Sequence, residues 1–303
     1  MLHPENDINN ENYRNKIYLG DSAELLAKLP DSCVDLVVTS PPYANQRSKQ
    51  YGGVKPDDYV AWFVPIAEQL RRVLKPAGSF VLNIKEHVST GERHTYVMEL
   101  VIELRKKGWL WTDEYIWHKK NAFPGKWPNR FRDAFERCFH FTKEKSFYMD
   151  QDSVMVPMGE WKEKRIKYLS GNDLERHSSQ VGNTFAKNIA NWAEREKAYP
   201  TNVLNIATNC KNVKHPAAFP EELPSWFIKL FCPEGGVVLD PFMGSGTTAV
   251  ASVKLKRQFI GFENKREYAL LSCLNINKIL GFKVSVPTAS RSESRIGMSN
   301  MEG

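Results

Sequence analysis

Apolar positions along this chain fall into short runs separated by polar, glycine- and proline-bearing breaks, and the runs alternate between two periods. Residues 16–19 and 34–38 are compact and rich in β-branched and aromatic side chains, as buried strands are. Between them, residues 22–29 set Leu25, Leu26 and Leu29 on one helical face, with Ser22 in the N-cap position and Pro30-Asp31-Ser32 as the stop. A strand–helix–strand unit of this kind implies parallel strands joined by a right-handed crossover. Residues 44–56, with Gly52-Gly53, read as a polar loop, and 57–74 as a helix halted by Lys75-Pro76-Ala77-Gly78. A strand is expected at 79–85, an amphipathic helix at 95–107 closed by Gly108, and strands at 110–118 and 134–141. Regular patterning resumes after Pro200: a helix at 223–231 with Pro224 in its first turn, a strand at 237–240 and a helix at 249–256. A strand at 258–262 ending at Glu263 and a helix at 265–280 complete it. Alternation of strands and helices predicts an α/β fold: a doubly wound, mainly parallel sheet of about seven strands with helices on both faces.

Composition narrows the picture. With 303 residues, 42% hydrophobic and 25% charged, the chain can hold one large domain or a core domain with an inserted module. The formal charge of +7, with a pI near 9.0, tilts towards a polyanionic partner. That charge is concentrated: residues 118–197 hold 16 Lys/Arg against 11 Asp/Glu. Trp127, Phe131, Trp161, Tyr168 and Trp192 are interleaved with these cations, as suits a nucleic-acid surface, although a solvated insertion with its own small core would look similar. The five cysteines are scattered, with no C-x-x-C pair and no His-Cys ligand spacing, so reduced thiols, a cytoplasmic setting and no metal are expected. Residues 1–15 and 283–303 read as polar tails without a signal segment, and no run approaches the ~20 apolar residues of a membrane span.

Two stretches carry candidate chemistry. The first is Thr39-Ser40-Pro41-Pro42-Tyr43, at the carboxyl end of the 34–38 strand. Neither proline offers an N–H to a sheet ladder, so the chain leaves the strand as a stiff, extended turn. It carries a hydroxyl, carbonyl acceptors and an aromatic ring, which would suit a flat, amine-bearing ligand such as a nucleobase. Taken alone, it reads equally well as a rigid turn with an incidental tyrosine. The second stretch, Asp240-Pro241-Phe242-Met243-Gly244-Ser245-Gly246-Thr247-Thr248, follows a strand and opens a helix. Glycines let backbone approach a ligand there, and Glu263 ends the next strand, where such folds place a carboxylate on ribose hydroxyls. No lysine follows Gly246, which argues against a phosphate-binding loop for nucleoside triphosphates. Asp240 puts an anion before the turn, which a pyrophosphate would avoid and an amino group would seek.

Together, T-S-P-P-Y and D-P-F-x-G-S-G-T-T resemble the amino-methyltransferases of DNA. Their order, S-P-P-Y first and the cofactor loop last, resembles the circularly permuted β-type arrangement, and Lys214-His215-Pro216-Ala217-Ala218-Phe219-Pro220 is similar to a further family element. The likeness runs from about Lys16 to Tyr268 and is weakest between Lys126 and Pro200. It implies a methyltransferase domain whose catalytic half spans 16–125 and cofactor-binding half 201–282, with a target-recognition region at 126–200. It also implies S-adenosyl-L-methionine as methyl donor, leaving S-adenosyl-L-homocysteine.

By the same resemblance, Asp240, Pro241 and the loop Phe242, Gly244, Ser245, Gly246, Thr247 and Thr248 would hold the methionine part of the cofactor, with His215 and Pro216 closing over it. Glu263 would bind the ribose and Asp21 the adenine amine. Ser40 and the Pro41 carbonyl would accept hydrogen bonds from the target amine, with Pro42 stiffening the turn and Tyr43 stacking on a flipped base. Ring-carbon methylation would need a cysteine after a proline, and none of the five cysteines has one. In this family S-P-P-Y generally accompanies cytosine N4 and D-P-P-Y adenine N6. Expected activity is therefore site-specific N4-cytosine methylation of duplex DNA. Adenine N6, an RNA target or a catalytically silent DNA-binding module are the alternatives. Lys119, Lys120, Lys126 and Arg130 are the candidate phosphate contacts. A restriction–modification setting in a bacterial cytoplasm implies a cognate endonuclease, while the chain itself could be monomeric or homodimeric.

Overall fold

The computed structural model describes residues 2–3, 13–45, 53–89, 91–122, 125, 128–158, 196–208 and 219–281. Lys126, His215, Pro216, Cys210, most of both tails and most of the expected recognition region, with Trp127, Trp161, Tyr168 and Trp192, lie outside the described residues.

In chain order the elements are β1 (Leu2–His3), β2 (Lys16–Leu19), α1 (Ser22–Ala27), β3 (Val34–Thr39), α2 (Tyr59–Val73) and β4 (Leu74–Ile84). A short ribbon, β5 (Val88–Ser89) and β6 (Glu92–Arg93), precedes α3 (Tyr96–Lys106), β7 (Leu110–Lys119) and β8 (Phe135–Thr142). A second ribbon pairs β9 (Val156–Pro157) with β10 (Lys197–Ala198). Then come β11 (Val203–Ile206), α4 (Glu222–Phe231), β12 (Val237–Asp240), α5 (Thr247–Lys254), β13 (Gln258–Glu263) and α6 (Arg266–Leu280).

Nine strands form one sheet in the order β1-β2-β13-β12-β3-β4-β8-β7-β11. All neighbours are parallel except β8, which runs against both β4 and β7. The expected seven strands are the inner ones, and β1 and β11 extend the two edges. β2 and β3 are parallel, as the strand–helix–strand pattern implied, but the carboxyl-terminal strands β13 and β12 sit between them.

β3 is buried at five of its six positions because both faces are covered, which is why its sequence is almost continuously apolar. Val37, Phe80, Leu82 and Leu239 pack on one side with Leu25 and Leu26 of α1, Phe63 and Leu70 of α2, and Leu100 of α3. Leu36, Val38, Val81 and Val238 face the other side, against Leu223, Phe227, Ile228 and Phe231 of α4. Each fully buried side chain of this size contributes roughly 1.5–3 kcal/mol, so both helical layers are held on the sheet by apolar burial.

Three local expectations are corrected. Ser22 is not the N-cap of α1: Asp21 is, its Oδ1 accepting from the N–H of Ala23 at 2.8 Å and of Glu24 at 3.4 Å. The break at residues 75–78 is an irregularity inside β4, which pairs Leu74 with Val34 before resuming at Ser79 opposite Leu36. Burial of Leu74 and the Lys75–Asp35 ion pair at 2.8 Å favour continuing the strand there. α5 begins at Thr247 because Gly246, with φ +84°, can turn the chain directly into it. β8, the strand expected at 134–141, lies inside the 126–200 span and belongs to the central sheet. Among the described residues no helix is long and apolar enough to cross a membrane, and no cluster of potential metal ligands occurs.

Candidate active site

From β3 the chain moves outward to β4, and from β12 it moves the opposite way to β13, so the β3–β12 boundary is a topological switch point. Helices must there leave to opposite faces, which opens a crevice at the strands' carboxyl ends. Both motif stretches meet at this place. β3 and β12 pair directly, Leu36 with Val238 and Val37 with Leu239. The Thr39 hydroxyl donates to Asp240 Oδ1 at 2.7 Å, joining positions 201 residues apart. Along the strand ends lie Asp21 after β2, Glu263 closing β13, Asp240 closing β12 and Ser40 after β3.

Asp240 is 1% exposed and fully engaged. Besides Thr39, the Phe242 N–H donates to Oδ1 at 3.1 Å and the Thr248 hydroxyl to Oδ2 at 2.7 Å. Burial nonetheless outweighs these donors and pushes the carboxyl up to about 6. Glu263 is also buried and also raised by burial, although its Oε2 accepts from the Gly244 N–H and its Oε1 from the Lys265 N–H, both at 2.8 Å.

The loop from 241 to 246 is stapled from three directions. Ser22 of α1 donates to the Pro241 carbonyl at 2.5 Å, and the Met243 N–H donates to the Phe262 carbonyl at 2.8 Å. From α6, Ser272 donates to the Gly244 carbonyl at 2.8 Å and Asn275 to the Ser245 carbonyl at 2.9 Å. A Cβ on Gly246 would lie 2.9 Å from the Ser272 Cα, so glycine is needed for proximity as well as for its positive φ. The half-buried Phe242 ring packs 5.8 Å from Trp62 and 6.4 Å from Phe63. Thr247 keeps its hydroxyl 3.5 Å from Ser245 Oγ, whereas Thr248 is buried and turned onto Asp240.

On the β3 side, Pro41 is buried and the Pro42 carbonyl accepts from the Tyr59 hydroxyl at 3.0 Å, which fixes the turn against α2. Ser40 Oγ donates to the Tyr43 hydroxyl oxygen at 3.1 Å. Tyr43 lies in turn 2.7 Å from Glu136 Oε2 of β8 and 3.2 Å from Asn83 Oδ1 of β4. Burial first, then the Glu136 charge, pushes the phenol well above its usual range, so it stays protonated.

The remaining expected residues are more dispersed. Asp21 is exposed and occupied with capping α1. Lys119 pairs with Glu136 Oε1 at 2.5 Å and lies 4.9 Å above the Trp117 ring. Lys120 is exposed just past β7, and Arg130 pairs with Asp133 at 3.3 Å. Sequence reasoning missed Asn83, Glu136, Ser272 and Asn275, and it named Thr39 and Ser22 without the partners they have here. Of these, only Glu136 carried a signal: an acid inside a segment patterned as a buried strand. All four cysteines among the described residues are buried, as their type suggests.

Residues 34–273 match the family model for N6/N4 methyltransferases, described as DNA methylase. The chain is 32% identical over 282 residues to the type II methyltransferase M.PvuII of Proteus hauseri, covering 84% of this chain and 82% of that protein. Among solved structures it is similar to the PvuII DNA methyltransferase described as cytosine-N4-specific, with a TM-score of 0.64 and 27% identity over 86% of this chain and 85% of that one. A putative DNA modification methylase from Thermus thermophilus superposes with a TM-score of 0.57 and 25% identity, covering 88% and 96% of the two chains. The matched span holds both motif stretches and the switch point between them, and the chain therefore belongs to the N6/N4 family of DNA methylases.

Proposed function

We propose that this DNA methyltransferase moves the methyl group of S-adenosyl-L-methionine to the exocyclic N4 amine of cytosine in duplex DNA. The observation that carries the reading is the Thr39–Asp240 hydrogen bond, which sets an S-P-P-Y turn beside a buried acidic, glycine-rich loop at one switch point. The similarity to M.PvuII supports the choice of cytosine N4.

The residues present fit the methyl donor. Two buried carboxylates raised by burial, with no lysine in the loop, suit a ligand with an ammonium and ribose hydroxyls and would repel a phosphate. Backbone N–H groups of Gly244 and Lys265 hold the Glu263 carboxylate at the end of β13, where it would accept from the ribose hydroxyls. Asp240 with Pro241, Phe242, Gly244, Ser245, Gly246, Thr247 and Thr248 would enclose the methionine end, with His215 and Pro216 closing over it, and Asp21 would meet the adenine amine. When bound, the cofactor supplies a methyl group on a positively charged sulfur.

The chain's own residues prepare the nucleophile. An exocyclic amine conjugated with its ring is a poor nucleophile, and acceptors held rigidly can draw it towards sp³ geometry and free its lone pair. Ser40 Oγ and the Pro41 carbonyl would accept from the two N–H bonds, while the Tyr43 ring faces the base. On accepting the methyl group in place of the sulfur, the amine nitrogen would carry a surplus proton, and Ser40 and the Pro41 carbonyl would hold its N–H bonds until that proton leaves to water. A paired amine is inaccessible, so the base must leave the duplex. Lys120, Lys126 and Arg130 would contact phosphates, the 126–200 span outside β8 would read the site, and an endonuclease of the same specificity would be the partner.

The test is nucleoside mass spectrometry of DNA incubated with the protein and methyl-labelled S-adenosylmethionine. Label in N4-methylcytosine is expected. Label in N6-methyladenine would overturn the choice of base, and label in no base would overturn the reaction.

A further inference from the structure

Glu136 is a buried carboxylate, 8% exposed, on the antiparallel strand β8. No residue near it in sequence explains it, yet it lies one hydrogen bond from the S-P-P-Y turn. The polar contacts around Tyr43 determine which way each proton points. The amide nitrogen of Asn83 faces the Arg137 carbonyl at 3.3 Å and Cys138 Sγ at 3.5 Å, so its oxygen is the atom turned to Tyr43. Glu136 presents Oε2 to Tyr43, while Lys119 holds Oε1 at 2.5 Å. Two acceptors, one of them charged, thus claim the single phenolic proton. The phenolic oxygen is left as an acceptor, and the only group donating to it at 3.1 Å is the Ser40 hydroxyl among the contacts of the described residues.

A serine hydroxyl can donate or accept, and which it does towards a base decides which edge atom it can meet. We propose that Glu136 is a positioning residue that acts through Tyr43 to spend the Ser40 proton, so that Ser40 offers only lone pairs to the target. Ser40 then matches an amine N–H and cannot donate to the neighbouring ring nitrogen. Lys119 belongs to the same chain of contacts, as the cation that holds the other oxygen of Glu136. The inference rests on the methyl-transfer reading above.

Glu136→Gln tests it. Its amide must face either Lys119 or Tyr43, and Lys119 requires the oxygen, so the NH2 group turns to Tyr43 and competes with Ser40 for the phenolic oxygen, leaving only the longer Asn83 contact to take the phenolic proton. With genomic DNA as substrate, kcat should fall by roughly 10–100-fold while KM for S-adenosylmethionine and for DNA stays within about twofold. Tyr43→Phe keeps the ring and removes the relay, so kcat should fall at unchanged KM, and adding Glu136→Gln to it should cost nothing further. A purely structural Glu136 would instead lower the melting temperature or raise both KM values, and its effect would add in full to that of Tyr43→Phe. Those results, or a kcat for Glu136→Gln within about twofold of the parent, would overturn the proposal. Should Glu136→Gln fail to fold, an unchanged kcat in Tyr43→Phe overturns it alone. The parent protein methylating no base would instead overturn the reaction itself, before any variant is compared.

Discussion

Gly246 joins two demands in one residue, and a pair of alanine substitutions separates them. At Gly246, φ is +84° and a Cβ would sit 2.8 Å from Ser272 Oγ and 2.9 Å from its Cα. At Gly235, φ is +77° but nothing lies within 4 Å of the added Cβ. Left-handed backbone costs a non-glycine residue about 1–2 kcal/mol, offset by about 0.4–1 kcal/mol because alanine restricts the unfolded chain. Gly235→Ala should therefore lose about 1 kcal/mol. Gly246→Ala adds overpacking against a backbone atom of α6 that no rotamer change can move, worth about 1–3 kcal/mol more. The expected total is about 2–4 kcal/mol, read from urea unfolding at unchanged m-value. Because the same displacement moves the loop carrying Gly244 and Ser245, S-adenosylhomocysteine affinity should fall at least about tenfold in Gly246→Ala and hold in Gly235→Ala. Equal losses of stability in the two variants, within about 0.5 kcal/mol, would refute the role of the Ser272 contact.

Other outcomes follow from the same geometry. Burial raises Asp240 from 3.8 to about 6, so its protonated form favours the folded state: that stability is full below about pH 4 and lost as pH rises through about 6. Stability of the parent relative to Asp240→Asn should thus decline by up to about 3 kcal/mol between pH 4 and 7, and a flat difference in urea unfolding would contradict it. Thr39→Val keeps the shape but leaves a buried carboxylate oxygen short of a donor, at a cost of about 1–3 kcal/mol by calorimetry together with slower methyl transfer. Lys120→Ala should weaken DNA binding and lower the salt slope by about 1, whereas Lys119→Ala should act mainly on turnover, since its ammonium is held by Glu136.

Much of this was legible along the chain because it is local. The 34–38 run announces a strand buried on both faces, and Pro41-Pro42 announces its end. Asp240, Gly244 and Gly246 announce a strand, a tight turn and a helix start, and Glu263 follows at the next strand end. The seven inner strands are as expected. Errors cluster where neighbours in space override neighbours in sequence. Ser22 has good N-cap chemistry, but Asp21 precedes it with the stronger acceptor, and the Ser22 hydroxyl is drawn to the Pro241 carbonyl instead. Lys75-Pro76-Ala77-Gly78 looks like a stop, yet pairing of Leu74 with Val34 keeps the strand going. Lys119 reads as a phosphate contact in a basic stretch, and only its place on β7, two residues beyond the Trp117 that pairs with Glu136 of β8, reveals its partner.

The sequence by itself determined the α/β class, the two turn chemistries and the absence of a phosphate-loop lysine, since each depends on backbone geometry or residue type within a few positions. Tertiary structure decided the rest: the insertion of β12 and β13 between β2 and β3, the Thr39–Asp240 bond, the stapling of the glycine loop by Ser272 and Asn275, and the Glu136–Tyr43–Ser40 chain. Those contacts join residues on separate strands and helices, and a hydrogen bond between them exists only once apolar burial on both faces of the sheet has fixed the elements in register.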